Sequence, residues 1–319
     1  MKIIIVGAGN MGSIFAARLI DAGHDVSVVA RNKRLRELQE NGLRLRHQYS
    51  QKIERYTPKV FAELTPEIAA DLILVMVQRP QVDALIPAIA KHPCARICFM
   101  FNCSEINPQW QAAIGNRLVW GFPAALGGTK DGIVVYLVLP GWLRLLQITT
   151  VGVAGTGDPN IAREIVNVLR KAKIASVFHL DMPGWLMTHT GLMLPGMVIG
   201  ENKLRAAKKQ SLTFTEARQM AQAQKECFAV VRASGSQVSP LNIYLLSLVP
   251  GFLILPIVWL LSRSPSYSRA VLDHVDHAHA EMQTMYAGIK ANAASSGTKT
   301  PVLDVLCVTL KDTGAATVS

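Results

Sequence analysis

The stretch GAGNMG places Gly7, Gly9 and Gly12 in the spacing G-x-G-x-x-G. It follows an apolar run, KIIIVG at 2–7, and opens NMGSIFAARLIDAG at 10–23, where Ile14, Ala17 and Ile20 recur at helical intervals. Between a strand and a helix, each glycine has its own task. Gly7 permits the tight turn, Gly9 lets backbone approach a pyrophosphate, and Gly12 lets the helix pack closely on the strand. The helix N-terminus adds free N–H groups and the positive end of its dipole. Gly7, Ala8, Gly9, Asn10, Met11 and Gly12 are therefore the expected cradle for a dinucleotide. An NAD site usually carries an acid at the end of the second strand, which would repel a 2′-phosphate. This chain has Arg31 there, with Lys33 and Arg34 close behind. A guanidinium pairs with phosphate in fork geometry, so the expected cofactor is NADP(H) rather than NAD(H).

Hydride delivery to a carbonyl leaves an alkoxide, and something must supply the proton. The stretch GWLMTHTG at 184–191 holds three polar side chains. Thr188 and Thr190 are hydrogen-bond donors but poor proton sources. His189 titrates near neutral pH and is the candidate proton donor, with water as the alternative.

These residues need elements to position them. The first half alternates strand-like and helix-like runs: 2–7, 10–23, DVSVVAR at 25–31, LRELQENG at 35–42, DLILVMV at 71–77 and ARICFMF at 95–101. GIVVYLVL at 132–139 and LLQITTVGVAG at 145–155 read as later strands, and NIAREIVNVLRKA at 160–172 as an amphipathic helix. Such alternation predicts an α/β fold with a Rossmann-type, doubly wound parallel sheet. From about Asp181 to Lys311 the texture is helical. The expected division is a dinucleotide-binding domain over 1–180 and an all-helical domain over 181–319.

Composition narrows the class. Half of the 319 residues are hydrophobic and 17% are charged, as in a folded chain. The net charge of +11 is spread along the chain, apart from RNKRLR at 31–36, and no basic residues interleave with aromatics. A small anionic ligand is expected, not nucleic acid. Five cysteines without tight pairing suggest reduced thiols and no metal, hence a cytoplasmic protein. The opening KIIIVG reads as a strand, not a secretory leader. LNIYLLSLVPGFLILPIVWLL at 241–261 is long enough to span a membrane, but Pro250 and Pro256 break it, so short buried core helices are expected instead.

KIIIVGAGNMG, VVARNKRLRELQENGLRL, FNCSEI, GFPAALGGTKDG and the late HAEMQTMYAGI…TPVLDVL together resemble the ketopantoate reductase family. The likeness is strong over the first half and patchy beyond it. It implies a Rossmann domain, a helical domain that binds substrate and allows a homodimer, and an active site in the cleft between them. The implied reaction is NADPH-dependent reduction of a 2-oxo acid to a 2-hydroxy acid, on the route to pantothenate. The resemblance implies that Asn102 lies beside the nicotinamide and that Glu281 lies at the cofactor side of the cleft, with Asp273 supporting the register. It also marks departures. A family lysine after the third strand is replaced by Gln78 and then Arg79. The substrate serine falls on Arg269, with Ser268 beside it, and Arg269 is the expected partner of a substrate carboxylate. Anchored on Trp185, the catalytic lysine falls on Met187, and two asparagines fall on Gly191 and Pro195. His189 is two positions from Met187, about 200° around a regular helix. His274, His277 and His279 are expected on a solvated helix face.

The combined expectation is an NADPH-dependent reductase of a small anionic 2-oxo acid or related carbonyl, with a rebuilt substrate side. Its alternative is a catalytically degenerate NADP(H)-binding protein.

Overall fold

The structure is a computed structural model that describes residues 1–138, 147–208, 211–249, 255–256, 259–260, 262–263 and 279–311. Its contacts form two compact units. One contains Met1–Phe101 and Asn107–Met182; the other contains Asn102–Ile106 and Pro183–Ser319.

In the first unit, β1 (Lys2–Val6) leads through the glycine loop into α1 (Asn10–Asp21), β2 (Asp25–Val29) and α2 (Asn32–Asn41). Next come β3 (Leu43–His47), β4 (Ile53–Tyr56), β5 (Lys59–Phe61), β6 (Leu72–Val75), α3 (Ile86–Lys91) and β7 (Ile97–Met100). After α4 (Pro108–Ile114), β8 (Leu118–Phe122), β9 (Leu126–Lys130) and β10 (Ile133–Leu137) come β11 (Thr149–Gly152), α5 (Pro159–Lys171) and β12 (Ser176–His179).

Eight strands form one sheet in the order β12-β11-β8-β7-β6-β1-β2-β5. Its pairs are parallel except β8 with β11. Strands covered on both faces read as unbroken apolar runs. Ile3, Ile4 and Ile5 in β1 and Leu72, Ile73 and Leu74 in β6 are accordingly buried. From β1 the chain runs outward to β2 and β5, then returns to β6, β7 and β8. The carboxyl ends of β1 and β6 therefore meet at a topological switch point, where open α/β sheets bind ligands.

The run at 132–139 does not extend this sheet. It gives β10, which joins a separate four-stranded sheet in the order β4-β3-β10-β9. Leu43, Leu45 and Val134 point inward from it onto the same core as Ile14 and Phe15 of α1. The opposite face carries Arg44 and Arg46 of β3, Arg55 of β4 and Lys130 of β9, with Ile53, Ile133 and Val135 and no acid. Arg44 lies directly across from Arg55.

The second unit holds α6 (Met182–Arg205), α7 (Phe214–Ala233), α8 (Leu241–Leu248), α9 (His279–Ser295), α10 (Pro301–Leu306) and α11 (Val308–Lys311). Thr213 and Glu216 close a capping box at the start of α7. The buried Glu226 accepts from the N–H groups of Val302 and Leu303 and so caps α10. Of the apolar stretch at 241–261, the described residues include the 8-residue α8, and Pro250 lies outside the described residues. No helix among the described residues is long and apolar enough to cross a membrane. Its burial is less complete than expected. Leu255 and Trp259 pack on the cluster of Ile199, Leu212, Ala217 and Met220, but Leu241, Leu245 and Leu260 are exposed.

Like charges directly opposite on a sheet face repel. Arg55→Glu should raise stability by roughly 0.5–1 kcal/mol, read as a higher urea midpoint at unchanged slope. The gain should vanish in an Arg44→Ala background.

Candidate functional site

The glycine loop carries out the three tasks its spacing implies. Gly7 has φ +106°, and a Cβ there would lie 2.6 Å from the carbonyl oxygen of Met76. A Cβ on Gly12 would collide with the carbonyl oxygen of Gly7. Both positions are closed to any side chain by the protein's own backbone. Gly9 is different: its φ is −69°, and nothing lies within 4 Å of a Cβ built on it. The fold does not need glycine there, and the open space leaves room for a ligand to approach the backbone. Gly9 is also the N-cap of α1, where no side chain caps the helix and no acid stands in the first turn. The first N–H groups of a twelve-residue helix are thus left for an anion.

The rest of the loop is braced. Asn10 donates Nδ2 to the Gly127 carbonyl at 3.3 Å and accepts from Thr129 Oγ1 at 2.6 Å, both on β9. Met11 packs against the core of this unit. Arg31 is the N-cap residue of α2 and is exposed. Arg34, one turn on, donates to the Ala8 carbonyl, Ser13 and Glu37. Of the two arginines, Arg31 is the one presented to solvent. At the neighbouring strand end, Gln78 is exposed at the start of a short helical turn. Arg79, which follows it, is committed elsewhere. Its Nη1 donates to Asp83 Oδ2 at 2.9 Å, and its guanidinium lies 4.3 Å from the centroid of the Trp110 ring. Burial works against ionisation of Asp83, but hydrogen bonds from Arg79 and Trp110 outweigh it and hold the carboxyl below its ordinary range.

In the second unit, Asn102 and Glu281 come together: Asn102 Nδ2 donates to Glu281 Oε1 at 2.8 Å. The spacing of α9 explains the contact. Glu281, Met285, Gly288 and Asn292 fall at i, i+4, i+7 and i+11, one helical stripe. Along it, Ser104 donates Oγ to the Met285 carbonyl at 3.0 Å, and Asn292 donates Nδ2 to the Ser104 carbonyl at 3.1 Å. A Cβ on Gly288 would meet Ser104 Oγ at 2.2 Å. The segment 102–104 is therefore seated on α9 at successive turns. Ser104, Gly288 and Asn292 escaped sequence reasoning, although the stripe spacing was there to be read. With Nδ2 given to the carboxylate, Asn102 Oδ1 is left buried without a protein partner. That oxygen can only accept, so it suits an N–H or O–H of a bound molecule.

His189 lies on α6, half-buried, its ring stacked on Trp185 with centroids 5.3 Å apart and planes 5° from parallel. The face that contains Met187 is helical core. Met187, Leu194 and Val198 are buried with Cys227 and Val231, and a Cβ on Gly191 would lie 2.5 Å from Cys227 Cβ. Pro195 is held inside α6, where Gln224 Nε2 donates to the Leu192 carbonyl at 2.8 Å, in the turn that lacks a proline N–H. His279 is not on a solvated face as expected. Its Nδ1 is 2.7 Å from Oε1 of the buried Glu201. Arg269, Ser268, Asp273, His274 and His277 lie outside the described residues.

Residues 3–149 match the family model for ketopantoate reductase PanE/ApbA. They form a ketopantoate reductase family domain. The chain is 30% identical over 154 residues to a 2-dehydropantoate 2-reductase of Mesorhizobium japonicum, covering 46% of this chain and 41% of the relative. It is 26% identical over 197 residues to the Pyrococcus abyssi protein of the same name, covering 58% and 59%. The chain thus spans about half the length of the curated relatives it matches. Among solved structures, 2-dehydropantoate 2-reductase from Geobacter metallireducens superposes with a TM-score of 0.74 at 17% identity, over 98% of this chain and 100% of that one. D-mandelate dehydrogenase, solved with NADH and anilino(oxo)acetate, gives 0.74 at 15% identity, over 98% and 97%. At that identity the likeness extends the family domain's α/β fold and its helical continuation, and no more.

Because a Cβ on Gly9 would meet nothing within 4 Å, Gly9→Ala should leave the melting temperature within about 1 °C of the parent. It should weaken nucleotide binding at least tenfold by calorimetric titration, because the methyl occupies the close-approach position. Gly288→Ala should displace Ser104 and with it Asn102, lowering any turnover in an NADPH absorbance assay.

Proposed function

We propose that the chain is an NADPH-dependent reductase of a small anionic 2-oxo acid or related carbonyl, akin to 2-dehydropantoate 2-reductase. The observation that carries this reading is Gly9, a glycine the fold does not require, at the uncapped start of a helix and at the switch point of a doubly wound sheet. The residues present fit a dinucleotide. Backbone N–H groups of α1 would hold the diphosphate, and the exposed Arg31 would suit the 2′-phosphate, with no acid in its place. When bound, the nicotinamide supplies the hydride.

The other steps belong to the chain. Glu281 fixes the amide of Asn102 and leaves Oδ1 as a buried acceptor without a protein partner, which a bound ligand could use. An acceptor repels a ketone oxygen but takes a hydrogen bond from a carboxamide N–H or from the hydroxyl that forms on reduction. By that chemistry Asn102 suits a carboxamide N–H or the product hydroxyl and favours the product side of the proton transfer. Met187 contributes no charge, and His189 or water provides the proton to the alkoxide. Trp185 limits the freedom of the His189 ring by stacking.

Titration with NADPH and NADH tests the cofactor, and loss of NADPH absorbance across a panel of 2-oxo acids tests the reaction. The panel includes 2-dehydropantoate, for the relatives of that name, and aromatic 2-oxo acids, for the fold shared with D-mandelate dehydrogenase. No preference for NADPH over NADH would refute the cofactor assignment.

If His189 is the donor, His189→Ala should lower turnover by about 100-fold or more without changing NADPH affinity. Unchanged turnover in His189→Ala would assign the proton to water.

A further inference from the structure

Arg34 makes an unusual set of bonds for a residue beside a phosphate site. Its Nε donates to the Ala8 carbonyl at 3.0 Å, its Nη2 to Ser13 Oγ at 3.1 Å and its Nη1 to Glu37 Oε2 at 3.2 Å. Ser13 Oγ itself donates to the same Ala8 carbonyl at 3.2 Å. Two donors thus converge on one backbone oxygen inside the glycine loop. The Glu37 carboxylate, one turn further along α2, holds the guanidinium in this position.

Ala8 and Gly9 share one peptide unit. In a trans peptide the carbonyl and the following N–H point in opposite directions. Holding the Ala8 oxygen towards Arg34 therefore turns the Gly9 N–H away from α2. Glycine on one side of that peptide would otherwise leave it free to rotate, because glycine has no preferred φ. No side chain caps this helix start, so the orientation of the peptide rests on Arg34 and Ser13.

We propose that Arg34 is a positioning residue that locks the Ala8–Gly9 peptide so that the Gly9 N–H faces the diphosphate of the dinucleotide, while Arg31 alone reads the 2′-phosphate. The inference rests on the dinucleotide reading above and adds a division of labour to it. Arg34 acts on the part that NADPH and NADH share; Arg31 acts on the part that distinguishes them.

The experiment measures dissociation constants of NADPH and NADH for the parent, Arg34→Gln and Arg31→Gln. It adds amide hydrogen exchange of residues 7–13 in the nucleotide-free proteins. For Arg34→Gln, both nucleotides should weaken by a similar factor, roughly 10-fold, leaving their ratio unchanged. For Arg31→Gln, NADPH should weaken and NADH should not. Exchange over 7–13 should quicken in Arg34→Gln and stay at the parent rate in Arg31→Gln. Arg34→Lys keeps the charge but cannot span Ala8 and Ser13 together, so it should fall between the parent and Arg34→Gln. Selective loss of NADPH in Arg34→Gln would overturn the proposal by making Arg34 a phosphate reader. Unchanged affinities or unchanged exchange would overturn it as well. A parent protein that binds neither nucleotide defeats the cofactor reading, and the exchange data then decide the loop-locking role alone.

Discussion

The first unit depends on how closely α1 can approach β1. The Gly7 carbonyl lies where a Cβ on residue 12 would be, and the Met76 carbonyl lies where a Cβ on residue 7 would be. Backbone therefore packs on backbone at the point where the chain turns from strand to helix. This contact brings the start of α1 over the carboxyl ends of β1 and β6, and the anion-binding end of the helix is located by it. The second sheet reinforces the arrangement. Its inner residues share a core with Ile14 and Phe15, and β9 holds Asn10 through Gly127 and Thr129. The helix that presents its N-terminus is thus fixed from both sides before any ligand arrives, and a preorganised anion site loses little ordering entropy on binding.

The second unit solves a comparable problem without glycine-rich turns. Asn102 follows β7 by two residues, yet its segment groups with α9 because one stripe of that helix offers a carboxylate, a carbonyl, a bare backbone and an amide in succession. The polar pairings set the amide of Asn102. A carboxylate accepts and cannot donate, so Nδ2 must face Glu281 and Oδ1 must face the other way. A neutral partner at 281 would leave both orientations open.

Much of this was legible in the sequence for a definite reason. Strands buried on both faces and a helix start marked by spaced glycines leave local signals, and β1, α1, β2, β6, β7 and α5 fall where those signals lie. The stretches of the first half that carry the resemblance to the reductase family fall in the region that the family model matches, and the late HAEMQTMYAGI…TPVLDVL lies beyond it. The four-stranded sheet was missed because β3 and β4 are short, half-exposed and rich in arginine, and because β10 is apolar enough to pass for a strand of the main sheet. Position along the chain does not reveal which sheet a strand joins. The bonds of Arg34 were hidden for a different reason. RNKRLR shows four cations at one site but not which of them faces solvent and which faces backbone. His279 likewise reads as solvated until Glu201, 78 residues earlier, is brought to it.

The departures from the family pattern on α6 follow from packing. Where the resemblance places a lysine, an asparagine and a second asparagine, α6 carries Met187, Gly191 and Pro195. Two of these three serve the contact with α7: Met187 fills its core and Gly191 admits Cys227. An ammonium at position 187 would have to be buried among Leu194, Val198 and Cys227, and burial drives an unpaired lysine towards its neutral form. The same face cannot be both a tight helix–helix seam and a charged catalytic wall. The polar groups of this stretch accordingly lie on its other faces, Thr188 bonded back to the Gly184 carbonyl and His189 against Trp185.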